Sequence, residues 1–219
     1  MKENLPPDRV AGSLLLAYGV LGVAAIAHHP VVSQRAPADF VKAIVAVGPM
    51  DGFVHGSLIV LMALLYFALL RYARRRGMQS GLVLGGLVAA STGVSALTGA
   101  ALIDGFFGPE FGSRLAMGNQ AAIGAGIQVM VAAALAIQIL SKLGFVATAT
   151  SIVLWSIDLL DRESAHVMLG ALGLVTQGLG LIFLLTISST LTPHTIVPLF
   201  AAQALWYAAN GALMVRGRL

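Results

Sequence analysis

Long apolar runs, separated by short segments that carry almost every charge, dominate this sequence. A helix of about 20 apolar residues is long enough to cross the hydrocarbon core of a bilayer. Because six stretches meet that length, the sequence predicts an all-α, polytopic transmembrane helix bundle forming one domain over residues 1–219. The six stretches are 11–28, 50–73, 80–104, 119–140, 165–188 and 195–214.

Composition excludes a water-soluble globule. Only 10% of the residues are charged and 58% are hydrophobic, whereas soluble domains are about a quarter charged. Lipid must therefore contact much of the chain, and the bilayer is its first predicted partner. The net charge of +4 does not indicate nucleic-acid binding, because the basic residues are not gathered on a soluble basic domain.

A seventh apolar run, 143–160, makes the number of spans ambiguous. It is short, but its apolar side chains surround the helical wheel, which argues against a helix lying on the membrane surface. We therefore expect seven spans, with six as the alternative. The distribution of Lys and Arg favours six, because only Arg35, Lys42 and Arg114 then lie outside.

Orientation follows from the arginines after the second run: Arg71, Arg74, Arg75 and Arg76. Cytoplasmic loops are enriched in Lys and Arg, so this loop and the N-terminus are predicted to be cytoplasmic, in a bacterial inner membrane. The first run is expected to be a retained helix rather than a cleaved signal.

Residues 30–49 would form a periplasmic connection. Apolar residues at helical spacing between Pro37 and Pro49 predict a short interfacial helix within it.

Small residues at four-residue spacing predict close helix packing. Gly85, Ala89 and Gly93 in the third run are one such series. In lipid, where no hydrophobic force drives helices together, small side chains allow backbones to approach closely.

The candidate chemistry lies at one end of the first three runs. His28 and His29 end the first run, Asp51 and His55 lie one helical turn apart near the start of the second, and Asp104 ends the third. Under seven spans, His166 at the start of a later run lies at the same end. The chain has no cysteine, so imidazole and carboxylate are the predicted ligands, a set that suits Zn, Fe, Cu or Mn.

Three uses of these residues compete with a purely structural role. The leading hypothesis is a metal ion bound near the outer face by His28 or His29, His55, His166 and one of the two aspartates. A haem b ligated by His55 and His166 is the second. A proton or cation relay in a carrier is the third, because charges inside a membrane are costly and are retained where they serve transport.

The function predicted from the sequence is therefore a redox or metal-handling role, and whether the protein is an enzyme stays open. The carrier would use further polar residues along an internal path, and a non-catalytic accessory subunit would leave the histidines without mutual contact. A small-molecule or metal ligand, a second copy and a partner membrane subunit are all open as partners. No HExxH motif or HxxxH pair narrows the choice. The further carrier residues are Gln128, Gln177, Gln203 and Asn210.

Overall fold

The structure is a computed structural model that describes residues 7–30, 32, 36–160, 164–187 and 190–219. Its regular elements in that part of the chain are all helical, and six of the helices are long and apolar enough to cross a membrane. This confirms a multi-pass helical bundle. In chain order the helices are α1 (Arg9–Ala27), α2 (Pro37–Arg76), α3 (Gly81–Leu102), α4 (Gly108–Ala116), α5 (Gln120–Leu160), α6 (Ser164–Ile182) and α7 (Pro193–Val215).

The seven-span prediction is not confirmed, because the runs 119–140 and 143–160 form one continuous helix, α5, of 41 residues. Only Ser141 and Lys142 separate the two runs, and neither proline nor glycine stands there to end a helix. A single half-buried lysine does not reverse the chain. The count of six agrees with the alternative that the Lys and Arg distribution favoured.

Residues 37–49 belong to α2 and are not a separate helix. Pro37 occupies the first turn, where its missing N–H is not needed, and α2 then continues through Pro49 to Arg76 over 40 residues. At a rise of 1.5 Å per residue, α2 and α5 are each about 60 Å long, roughly twice the hydrocarbon thickness of a bilayer. The periplasmic, interfacial position of this segment stays a prediction.

Ion pairs and hydrogen bonds tie the chain together at the end where α2, α5 and α7 finish, here called the basic end. Arg71 Nε donates to Asp8 Oδ2 at 2.7 Å, and Arg76 Nε donates to Asp158 Oδ2 at 2.8 Å. Burial raises the pKa of Asp8, but the Arg71 guanidinium and the Ala11 N–H lower it more, so the pKa lies below its usual value. These contacts join α1, α2 and α5.

Helix packing follows the small residues. Gly93 of α3 and Gly144 of α5 face each other so closely that a methyl group added at Gly93 would lie 3.0 Å from the Gly144 carbonyl. Gly12 of α1 and Gly211 of α7 form a second such contact. Between these pairs, the fully buried Tyr72, Trp155, Trp206 and Tyr207 fill the bundle towards the basic end.

Candidate metal centre

The end of α1 separates two neighbouring histidines. α1 ends at Ala27, and His28 caps it by donating from Nδ1 to the Ala24 carbonyl at 2.8 Å. His28 is exposed and lies outside the cluster described below. His29, one residue later, instead faces α2 and the end of α3.

Asp51 and His55 share one face of α2, as their four-residue spacing predicted. Both are buried, with exposed fractions of 7% and 5%. His55 Nδ1 lies 3.0 Å from the main-chain oxygen of Asp51 and 3.0 Å from its Oδ1 atom. The ring is therefore held in place by its own helix.

A π-helical turn, Ile103–Phe107, supplies Asp104. Such turns insert an extra residue into a helix and are frequent at functional sites. Asp104 Oδ2 lies 3.4 Å from His55 Nε2 and 3.5 Å from His29 Nε2. In the same turn, a methyl group added at Gly105 would overlap the His55 side chain. The absence of a side chain at Gly105 thus allows the turn to pack directly on His55.

The four residues His29, Asp51, His55 and Asp104 form one cluster, here called the His/Asp cluster. The two imidazole rings meet edge to face, with centroids 4.9 Å apart. His29 Nε2 lies 3.8 Å from Asp51 Oδ1. His29, Asp51 and His55 each offer one ligand atom, and these three atoms lie within 4.8 Å of one another.

These separations suit a transition metal. With metal–ligand bonds of about 2.0–2.1 Å, neighbouring ligands of a tetrahedral ion lie about 3.3 Å apart. Asp51 Oδ1 lies 3.0 Å from His55 Nδ1 and 3.8 Å from His29 Nε2, so the contacts of this one oxygen with the two rings bracket that value. Asp104 Oδ2 meets His55 at the other ring nitrogen, Nε2, which cannot bind the same ion as Nδ1.

Two buried atoms of the His/Asp cluster lack a hydrogen bond. Within the described part of the chain, His29 Nδ1 and Asp51 Oδ1 are buried and make no hydrogen bond. Most buried polar atoms in proteins are hydrogen-bonded, because an unpaired one loses its hydration without compensation. Asp51 Oδ1 is also the atom that faces both rings, 3.0 Å from His55 Nδ1 and 3.8 Å from His29 Nε2, so a cation bound among the three would give it a partner.

Two cavities meet at the His/Asp cluster, and His29 and Asp104 line both. The first, the core cavity, has a volume of about 240 Å³ and extends from His55 into the bundle. The second, the end cavity, has a volume of about 250 Å³ and lies on the Asp51 side, between the first part of α2, α4 and α5. The cluster therefore separates the two cavities.

The structure does not bring His166 to this cluster. His166 Nε2 contacts the Arg218 main-chain oxygen at 2.6 Å, at the basic end. The expectation that His166 lies beside His55 depended on a seventh span. Because α5 is a single helix, α6 starts at the opposite end of the bundle. A haem held by His55 and His166, or a metal site that includes both, does not fit this arrangement.

Sequence reasoning overlooked two features of the site. Gly105 makes room for His55, a role that no pattern in the sequence indicated. The walls of the core cavity, including Tyr18, Met62 and Phe200, carry no motif. One signal in the sequence pointed to a break after α3. Proline is favoured in the first turn of a helix, so Pro109, after Asp104, Gly105 and Gly108, marks the start of a new helix, α4.

Comparison of the chain with protein-family models, with curated proteins and with solved structures finds no match.

Proposed function

We propose that this protein binds a divalent transition-metal ion at His29, Asp51 and His55, with Asp104 beside the second ring nitrogen of His55, and serves in a redox or metal-handling role. One observation carries the proposal: three separate segments place two imidazoles and two carboxylates around one point between two cavities. Imidazole with carboxylate is a ligand set for Zn, Fe, Cu or Mn. Three protein ligands leave a position open for a further molecule.

Asp104 fits the role of an outer partner. Histidine ligands usually use their second ring nitrogen to bond a carboxylate or carbonyl, which fixes the orientation of the ring. The Asp104 side chain is 37% exposed, whereas that of Asp51 is 10% exposed. The more buried carboxylate belongs to the group of three whose ligand atoms lie within 4.8 Å of one another, so we assign Asp51 as the ligand.

The proposed location is the cytoplasmic membrane of a bacterium, with the basic end in the cytoplasm. Arg71, Arg74, Arg75 and Arg76 finish α2 at that end, and Arg216 and Arg218 follow α7 there. An excess of Lys and Arg marks the cytoplasmic side of membrane proteins. The His/Asp cluster would then lie towards the periplasm.

The cavities on both sides of the His/Asp cluster are what a carrier would require, but the rest of the bundle is not suited to a path. None of Gln128, Gln177, Gln203 and Asn210 lines either cavity. Gln203 Nε2 instead donates to Thr148 Oγ1 at 2.9 Å and joins α7 to α5. An accessory subunit was expected to leave the histidines without mutual contact, whereas the rings of His29 and His55 touch edge to face.

Metal titration of the detergent-purified full chain tests the proposal. Native protein stripped of metal should bind one equivalent of Co²⁺, and His55→Ala should weaken binding by at least about 100-fold, more than the loss typical of an outer-sphere partner. His166→Ala is the matched control, because it removes a histidine at the basic end, and it should bind like native protein. Full occupancy in His55→Ala, or loss of binding in His166→Ala, would overturn the assignment.

A further inference from the structure

The core cavity has its carboxylate and imidazole groups at one end, and Tyr18 and Ser141 bring hydroxyl groups to its wall. His29, His55 and Asp104 close it at the His/Asp cluster, and most of its wall is apolar. The Gln138 amide in the wall is already engaged, since it donates to the Leu191 carbonyl at 2.9 Å and accepts from the Leu191 N–H at 2.7 Å. The apolar wall includes Leu58, Met62, Leu97, Ala101, Phe145 and Phe200.

The cavity is deep as well as apolar. His55 and Met62 on α2, and Asp104 and Leu97 on α3, both line it and are seven residues apart. At a rise of 1.5 Å per residue, the cavity extends about 10 Å from the cluster along the bundle. A slender molecule can therefore reach the His/Asp cluster with one end and bury the remainder between the helices.

The charge of the metal site limits which head group the bound molecule can carry. The carboxylates of Asp51 and Asp104 would together neutralise a divalent ion, and the two histidines bind as neutral imidazoles. An anionic head group would then bring an uncompensated charge into a low-dielectric site, which is strongly unfavourable. A neutral oxygen head group escapes this penalty and can still bind the metal or the Asp104 carboxylate.

We propose that the core cavity binds a slender, uncharged apolar molecule that ends in a hydroxyl group, of the alkylphenol or alcohol class, with the hydroxyl at the open metal position. This inference rests on the proposed metal site. It goes further by assigning the cavity a substrate class and an orientation, hydroxyl towards His55 and apolar tail towards Met62 and Phe200.

The absorption spectrum of the Co²⁺-loaded native protein provides the test, because d–d bands respond to a new ligand. Adding 4-butylphenol should give a saturable spectral change. Butylbenzene, which lacks the hydroxyl, and 4-butylbenzoate, which is charged, should each need at least 10-fold higher concentration or give no change. An equal response to the benzoate would overturn the charge argument, and no response to the phenol would overturn the inference.

Two variants locate the binding site. Ala101→Leu fills the core cavity without altering a cluster residue, so it should keep Co²⁺ and lose the phenol response. Ala132→Leu makes the same change on an exposed face of α5, outside both cavities, and should respond like native protein. A normal response in Ala101→Leu would place the phenol elsewhere and overturn the inference.

Failure of the inference and failure of the metal site are distinguishable. Native protein that binds Co²⁺ but ignores all three probes contradicts the cavity inference alone. Native protein that binds no Co²⁺ contradicts the proposed function and removes the basis of this one. The comparison of probes uses native protein, so it does not depend on the folding of any variant.

Discussion

Single residues decide which polar groups meet in this protein. His28 and His29 are adjacent, yet one caps α1 in an exposed position and the other joins Asp51, His55 and Asp104. The positions of the apolar runs predicted that His28, His29 and His55 lie at the same end of the bundle. They could not predict whether His28 or His29 turns inwards, because that depends on where α1 ends.

The two carboxylates of the His/Asp cluster should differ in importance. Asp51→Asn removes the buried oxygen of the tight group and should weaken Co²⁺ binding by at least about 100-fold, whereas Asp104→Asn should cost about 10- to 100-fold, the range for an outer partner. Isothermal titration of both variants against native protein measures the difference. A larger loss in Asp104→Asn would exchange the two roles.

His28→Ala serves as the neighbouring control for these titrations. It removes a helix cap but no ligand, so Co²⁺ affinity should stay within about 3-fold of native, less than an outer-sphere loss. Strong loss of affinity in His28→Ala would show that both histidines of the pair belong to the site.

At the scale of elements, the π-helical turn after α3 shapes the site. It places Asp104 against two imidazole rings, and Gly105 packs on the His55 side chain. Periodicity predicted a helix ending near residue 104. It could not reveal the extra residue of a π turn, since such a turn preserves the apolar pattern and changes only the direction of the side chains that follow.

Gly105→Ala tests the importance of this turn. The added methyl group would overlap His55, so either the ring or the turn must move, and Co²⁺ affinity should fall at least 10-fold, the scale of an outer-sphere change. Gly108→Ala is the matched control, because a methyl group there would lie 3.6 Å from the nearest atom, the Ile103 carbonyl oxygen. Both variants should keep native helix content by circular dichroism. Unchanged affinity in Gly105→Ala would show that the turn does not hold His55.

At the scale of the whole molecule, the length of α5 determines the topology. One helix of 41 residues replaces two predicted spans, and α6 and α7 consequently run opposite to the seven-span expectation. His166 therefore lies at the basic end, far from the His/Asp cluster. Hydropathy alone predicted two spans in the α5 region because it measures whether a segment can enter lipid. It does not measure whether the chain reverses between two apolar segments.

Labelling of single cysteines can test topology and orientation, since the chain has no cysteine of its own. With six spans and a cytoplasmic basic end, a membrane-impermeant maleimide added to intact cells should label Met117→Cys. It should label Gln79→Cys and Arg216→Cys only after permeabilisation. Labelling of Arg216→Cys but not Gln79→Cys from outside would restore seven spans, and labelling of both from outside would invert the orientation.

The sequence by itself determined that this protein is built of helices and that the bilayer is their solvent. Runs of apolar residues specify membrane helices because unpaired backbone groups are too costly in lipid, and the scarcity of charge restricts chemistry to a few histidines and aspartates. Only the tertiary structure decided which of these meet. That outcome depends on where helices stop, reverse or bulge. Hydropathy does not register that α5 continues through Ser141 and Lys142, or that Gly105 lets a π turn pack on His55.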